Sequence, residues 1–332
     1  MPTADQRPTL GPPLGRHASL LKLLTAAALL PALAACTKPD GLLRETDDAT
    51  ARDYVLYVPP ATRYESRPSL VVVCHGGGLE APDTEAGQWK PAAERANAVI
   101  LAPRLTSLRG IAQPTVQDLL TDEAALNALT RRIARRYNAD PDRIFITGRA
   151  GGNAVASWVG LRNPDLYRAI AIRPGGFERA LLDQPAVLDR LNRIQPIFVV
   201  FSQRDLDPQA SRDFIAWLRS QNHRAVSSLQ LTSANVGLRG PAMAFFQRAT
   251  RQWPMIRVAI ESVPGPGRSR LLRATASEPI TAVRWEINGE LKGEQALLGH
   301  SFPEPGRYEI TLAVRLEGRT EVWVRELTLD IP

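Results

Sequence analysis

The sequence predicts an α/β protein, a mostly parallel sheet covered by helices, followed by a small all-β unit. Three observations predict it. From Asp53 to about Trp253, short β-branched or apolar runs alternate with longer stretches of helical spacing. From Ile256 that rhythm gives way to apolar–polar alternation with no helical stretch, the period of half-buried strands. Hydrophobic residues make up 44% of the 332-residue chain and charged residues 23%, ordinary values for a globular protein and far from those of a disordered or many-span membrane chain.

The strands expected in the first region are Tyr54–Val58, Ser69–Cys74, Ala98–Ala102, Arg143–Thr147, Ala169–Ile172, Pro196–Phe201 and Val226–Leu231. Helical stretches such as Gln117–Tyr137 and Pro208–Gln221 separate them. In the second region, Ala282–Ile287 and Tyr308–Val314 alternate strictly, and Asn288-Gly289 is a strong hairpin turn. Pro264-Gly265-Pro266-Gly267, Pro305-Gly306 and Glu317-Gly318 break the other runs.

At the N-terminus, Arg16 and Lys22 precede an apolar stretch, Leu23 to Leu33, too short to span a bilayer and suited to a signal-peptide core. It ends Leu33-Ala34-Ala35-Cys36, which resembles a bacterial lipobox. The resemblance implies cleavage after residue 35, lipidation of Cys36 and a polar tether over 36–52. The partner it implies is a bacterial membrane reached through the lipid, with the protein outside the cytoplasm. Thr37, where an inner-membrane retention signal would have Asp, favours the outer membrane if the cell has one.

The formal charge is +7. Only four lysines occur, Lys22, Lys38, Lys90 and Lys292, and the arginines are scattered, so no nucleic-acid partner is expected. Cys36 and Cys74 sit in different contexts and form no disulfide framework. The histidines, His17, His75, His223 and His300, are far apart, and neither a metal site nor a cofactor is expected.

Two motifs carry the chemistry. Val71 to Gly78 is a strand running into His75-Gly76-Gly77-Gly78, a turn whose missing side chains let backbone N–H groups point into a cleft. Arg143 to Val155 is a strand, a tight turn and a helix that begins with small residues, in the frame Gly148-Arg149-Ala150-Gly151-Gly152. The first resembles the oxyanion-hole motif of esterases and the second the Gly-x-Ser-x-Gly nucleophile elbow. Together they make residues 53–253 similar to the polyhydroxybutyrate depolymerase and feruloyl esterase-like branch of the α/β-hydrolases. Phe201-Ser202-Gln203-Arg204-Asp205 resembles the strand end that bears the triad acid, which puts Asp205 in that position.

The departures from the family matter more than the matches, because an acid, a histidine and a serine act as one unit. Ala150 stands where the resemblance places the serine, and Thr232–Pro241, the loop expected to bring the histidine, contains none. Ser157, His223 and Cys74 are poorly placed substitutes. Gly76, Gly77, Gly151 and the helix N-terminus could still present N–H donors to an anion, with Arg149 as an added cation. The alternative is that Arg149 pairs with an acid and the turns serve packing alone.

Trp285, Asn288-Gly289, Phe302 and Pro305-Gly306-Arg307-Tyr308 make residues 256–332 resemble a PKD-type, immunoglobulin-like sandwich. The leading expectation is a lipid-anchored, esterase-like protein without serine chemistry that serves in binding or scaffolding, with a small anionic, ester or glycan ligand. Its alternatives are a carboxylic-ester hydrolase with a relocated catalytic site and a structural surface protein acting through the C-terminal unit. The sequence names no protein partner.

Overall fold

The computed structural model describes residues 41–63, 67–76, 81–108, 114–232, 238–264 and 267–332. The expected signal segment 1–35, Cys36 and Gly77 lie outside the described residues, as do positions 233–237 of the loop searched for a histidine.

The first region builds one eight-stranded sheet. In chain order it comprises β1 (Leu42–Asp47), β2 (Arg52–Tyr57), β3 (Ser69–Cys74), α1 (Pro82–Ala96), β4 (Ala98–Pro103), α2 (Val116–Arg136), β5 (Ile144–Gly148) and α3 (Gly152–Arg162). It continues with β6 (Ala169–Ile172), the short helices α4 (Arg179–Leu182) and α5 (Pro185–Leu188), β7 (Ile197–Ser202), α6 (Pro208–Ser220), β8 (Val226–Leu231) and α7 (Arg239–Gln252). The spatial order is β1-β2-β4-β3-β5-β6-β7-β8. From β4 to β8 every pairing is parallel, while β2 meets β4, and β1 meets β2, antiparallel.

β1 corrects the expected tether, because Leu42–Asp47 lies inside the segment 36–52 and belongs to the sheet. Its polar residues suit an edge strand, whose outer side needs no apolar cover, and Leu42 and Asp47 at its ends are buried.

Central strands are buried at every position, and mostly apolar, because helices cover both faces. Val72, Leu101 and Ile146 pack with the apolar faces of α2, α3 and α6, and Val71, Ile100 and Phe145 with those of α1 and α7. On the second face Phe145 stacks on Phe246 at 4.5 Å between ring centres, and Phe198 on Phe245 at 5.0 Å. α2 starts at a capping box, in which Thr115 Oγ1 accepts from Asp118 N–H and the Asp118 carboxylate accepts from Thr115 N–H.

The second region is wholly antiparallel. β9 (Ile256–Ser262), β10 (Ser269–Ala276) and β13 (Leu297–Ser301) form one sheet in the order β13-β10-β9. β11 (Ile280–Ile287), β12 (Glu290–Gly293), β14 (Gly306–Leu316) and β15 (Val322–Ile331) form the other in the order β12-β11-β14-β15. Residues of both sheets bury one core around Trp285, with Val258, Leu272, Leu312 and Phe302. Asn288 (φ 50°) and Gly289 (φ 79°) make the β11–β12 hairpin turn in the left-handed conformation that such turns require.

The two regions lock together at the N-terminal ends of β5 to β7. Arg325 is buried and grips both carboxylate oxygens of Asp165, in the loop before β6, while also donating to Ile256 O at 2.6 Å. Arg257 pairs with Asp142 at 2.6 Å, and Arg193 with Glu326 at 2.6 Å. Removing one member of a buried pair strands the other, so Arg325→Ala should cost about 2–3 kcal/mol, discounted for the half-exposed Asp165. Chemical denaturation should show this loss, whereas Arg284→Ala, in an exposed pair with Glu286, should stay within about 0.5 kcal/mol.

Candidate functional site

The site grows from the C-terminal end of β5. The chain leaves the strand at Gly148, turns through Arg149 and Ala150, and enters α3 at Gly152. Ala150 takes φ 49°, a left-handed conformation costly for a residue with a side chain. Its N–H donates to Pro174 O at 2.8 Å, tying the tip to the segment after β6.

Two glycines make that geometry fit. A Cβ on Gly152 would lie 2.8 Å from the carbonyl carbon of Cys74 and closer still to the carbonyl oxygens of Cys74 and His75. Gly175 (φ 138°) packs its Cα directly against Ala150, leaving no space for a side chain. Strand, elbow helix and glycine-rich turn therefore meet at backbone distance. Gly151 is exposed, and its N–H makes no hydrogen bond with any described residue.

His75 is buried and faces the backbone. Its Nδ1–H donates to Gly76 O at 2.6 Å, and its Nε2 accepts from Leu105 N–H at 3.3 Å, which fastens the turn to the loop after β4. Asp205 sits half-buried in the turn after β7, where a carboxylate oxygen accepts from Ser202 N–H at 2.6 Å.

The substitute nucleophiles are engaged elsewhere. Ser157 points back along α3, donating to Asn153 O at 2.6 Å. Cys74 is fully buried, and burial pushes its thiol well above the usual thiol range, which leaves it inert. His223 lies before β8, at the opposite end of the sheet, where burial and then the nearby Arg193 bring its pKa down to about 4.

An ion-paired cluster beside the elbow escaped the sequence reading. Arg173, the residue after β6, is buried and donates through Nη2 to Glu85 of α1 at 2.5 Å and through Nε to Thr147 Oγ1 at 3.2 Å. Glu85 also accepts from Trp89 Nε1 at 2.8 Å and pairs with Arg239, the first residue of α7, at 3.4 Å. Burial alone would raise the Glu85 pKa, but Arg173 and Arg239 hold it below the usual carboxylate range. Burial lowers the Arg173 pKa and Glu85 opposes that, while Arg239 and Arg149 act as neighbouring positive charges. Two cations thus pair with one buried carboxylate, and Arg149 adds a third positive charge near Arg173. The signal in the sequence was an arginine directly after the fully apolar strand Ala169–Ile172.

Behind the elbow, Asn153, Ser157, Phe177, Ser211 and Phe214 line a cavity of about 10 Å³, enough for roughly one water. Asn153 Nδ2 donates to Arg173 O at 2.6 Å, while Asn153 Oδ1 and Ser211 Oγ, both buried, have no hydrogen-bond partner among the described residues. Among those residues no group of His, Cys, Asp and Glu has the arrangement of a metal site.

The mostly parallel sheet, with a left-handed turn between its fifth strand and the following helix, has the arrangement of an α/β-hydrolase fold. A solved esterase structure agrees with that fold. A feruloyl esterase B of Neurospora crassa is 22% identical over 162 residues, which is 47% of this chain and 55% of the relative. The chain thus spans about half the length of that curated relative. A ferulic acid esterase structure superposes with a TM-score of 0.50 at 13% identity, covering 63% of this chain and 97% of the other. FphF, a fluorophosphonate-binding serine hydrolase of Staphylococcus aureus, gives 0.48 at 12% identity, covering 63% of this chain and 97% of that one. No family model matches.

Two predictions follow the packing and the charges. Gly152→Ala should destabilise the domain by about 2 kcal/mol or more, because backbone carbonyls must move. Gly240→Ala in α7, with nothing within 4 Å, should be neutral or stabilising by up to about 1 kcal/mol, read as urea midpoints. The His223 ring stays neutral in the fold below the pH at which it would protonate in the unfolded chain, so the unfolded state takes up the proton first. Stability should therefore fall as pH drops from about 6.5 towards about 4, and His223→Gln should flatten that limb of a melting-temperature profile.

Proposed function

We propose that this protein is a lipid-anchored, extracytoplasmic relative of the esterases that binds a small anionic ligand at its elbow and performs no serine chemistry there. The observation that carries the reading is Ala150 at the strained tip, φ 49°, between β5 and α3. In an esterase that tip exposes the nucleophile. Here a methyl group takes its place, and no histidine occurs between residues 224 and 299 to serve as the base.

Binding is supported by what the site retains. The Gly151 N–H stands at the start of an 11-residue helix whose dipole favours negative charge. Arg149 lies close enough to Arg173 to act on it as a positive charge, and Arg173 and Arg239 pair with Glu85, which brings arginines to this side of the elbow. A carboxylate, phosphate or sulfate group suits that field, and the likeness to feruloyl esterase supports a carboxylate or ester as the polar group. The segment Leu33-Ala34-Ala35-Cys36 supports anchoring through a lipidated Cys36. The C-terminal antiparallel sheets are read as a PKD-type module that acts as a spacer or contact surface.

Hydrolysis of short p-nitrophenyl esters by residues 37–332 tests the chemistry, with Asp205→Asn beside the wild type. The expected turnover is none above buffer. Turnover that Asp205→Asn abolishes would mean that another nucleophile works with that acid, and the proposal would fail. Thermal-shift titration with phosphate, sulfate and acetate tests the binding. The wild type should be stabilised and Arg149→Ala should respond at least about tenfold more weakly; identical titration curves would remove Arg149 from the site.

A further inference from the structure

At the end of the sheet opposite the elbow, backbone hydrogen bonds draw three segments together. Ser69 N–H donates to Asn97 O at 3.2 Å, Leu70 N–H to Arg143 O at 3.0 Å, and Asp140 N–H to Pro68 O at 2.9 Å. Four arginines border this junction. Arg67 leads into β3, Arg95 lies in the last turn of α1, and Arg131 and Arg135 lie near the C-terminus of α2. All four are exposed, and none makes a side-chain hydrogen bond or ion pair among the described residues.

Among the described residues, the acids around them have other partners. Glu94 accepts from Tyr57 O–H at 2.5 Å, Asp140 from Asp142 N–H at 2.9 Å, and Asp142 pairs with Arg257. The neighbouring Arg132 and Arg136 are matched by Asp47 and Glu45. Among the described residues the four exposed arginines outnumber the neighbouring carboxylates Glu94 and Asp140 on the half of this end formed by β4 and β3. The other half, below β5 to β7, is held by the second region through Asp142, Asp165 and Asp189.

The chain also enters the fold beside this surface. A Cβ on Gly41 would lie 3.8 Å from Lys90 Nζ and 3.9 Å from the Tyr57 ring, and Tyr57 reaches Glu94, the neighbour of Arg95. Only residues 37–41, which include Lys38, separate Cys36 from β1. Fully extended, they span at most about 17 Å.

We infer that the end face bearing Arg67, Arg95, Arg131 and Arg135 is a membrane-contact surface that rests on anionic lipid head groups. This rests on the anchored reading of Cys36. A tether this short holds the domain within about two Debye lengths of the bilayer, where basic side chains feel the surface potential of anionic lipids. The contact orients the molecule, with the elbow at the opposite end of the sheet facing the aqueous phase and open to a soluble ligand.

The test uses unlipidated residues 37–332 and two kinds of vesicle, phosphatidylcholine alone and phosphatidylcholine with phosphatidylglycerol, at low and high salt. The wild type should co-sediment with the anionic vesicles at low salt, and high salt should release it. Replacing Arg67, Arg95, Arg131 and Arg135 together by Gln should lower the bound fraction at least about tenfold. Replacing four exposed arginines elsewhere, Arg204, Arg212, Arg273 and Arg315, should change it less than about twofold. Melting curves confirm that both variants fold. No binding by the wild type, or equal loss in the two variants, would overturn the surface. The anchor is read separately from the intact mass of the membrane-extracted full chain, where a Cys36 without acyl mass would overturn the anchored reading alone.

Discussion

Three backbone segments converge on Ala150, and the closeness of their approach governs the rest of the first region. Gly152 presses against the carbonyls that end β3, and Gly175 against the Ala150 Cα, so strand, helix and turn are fixed to within a methyl group. The left-handed φ of Ala150 costs on the order of 1 kcal/mol and persists because the surrounding packing over-determines it. Strain of this kind serves to thrust one side chain outward at a helix N-terminus. With only a methyl group there, what the elbow still offers is its backbone: the exposed Gly151 N–H and the dipole of α3.

The charges beneath the elbow fit a binding scaffold better than a proton-transfer device. Arg173 and Glu85 are both buried and bridge the end of β6 to the first turn of α1, with Trp89 donating to the carboxylate and lying 5.3 Å from the Arg173 guanidinium. Such a pair is weak evidence for stability, because desolvation offsets most of its attraction, yet breaking it would be costly. It fixes the relative positions of the segments that frame the site. Arg239 joins the same carboxylate from α7, which ties the first turn of that helix to α1.

Much of the fold was legible because periodicity reports burial. The runs 69–74, 98–102 and 169–172 stand out in the sequence because both faces of those strands are covered. β1 was not legible: Arg44, Glu45 and Thr46 give an edge strand the composition of a tether, and only pairing with β2 reveals it. At the site, the glycines around Ala150 announced the elbow, since nothing but glycine fits a backbone contact. The Arg173–Glu85–Arg239 cluster was not legible, because its members lie 88 and 154 residues apart and nothing local marks them as neighbours. Ser157 and His223 could be set aside from spacing, and the structure supplies the reason, a backbone bond within α3 for one and the far end of the sheet for the other.

The central claim is that no nucleophile stands at the elbow or replaces the one missing there. Intact-mass analysis after prolonged exposure to a fluorophosphonate, which traps an activated serine, tests it most directly because one slow turnover is enough to leave a covalent mark. The account predicts an unchanged mass. A stoichiometric adduct mapping to a single residue of the first region would contradict it and name the nucleophile.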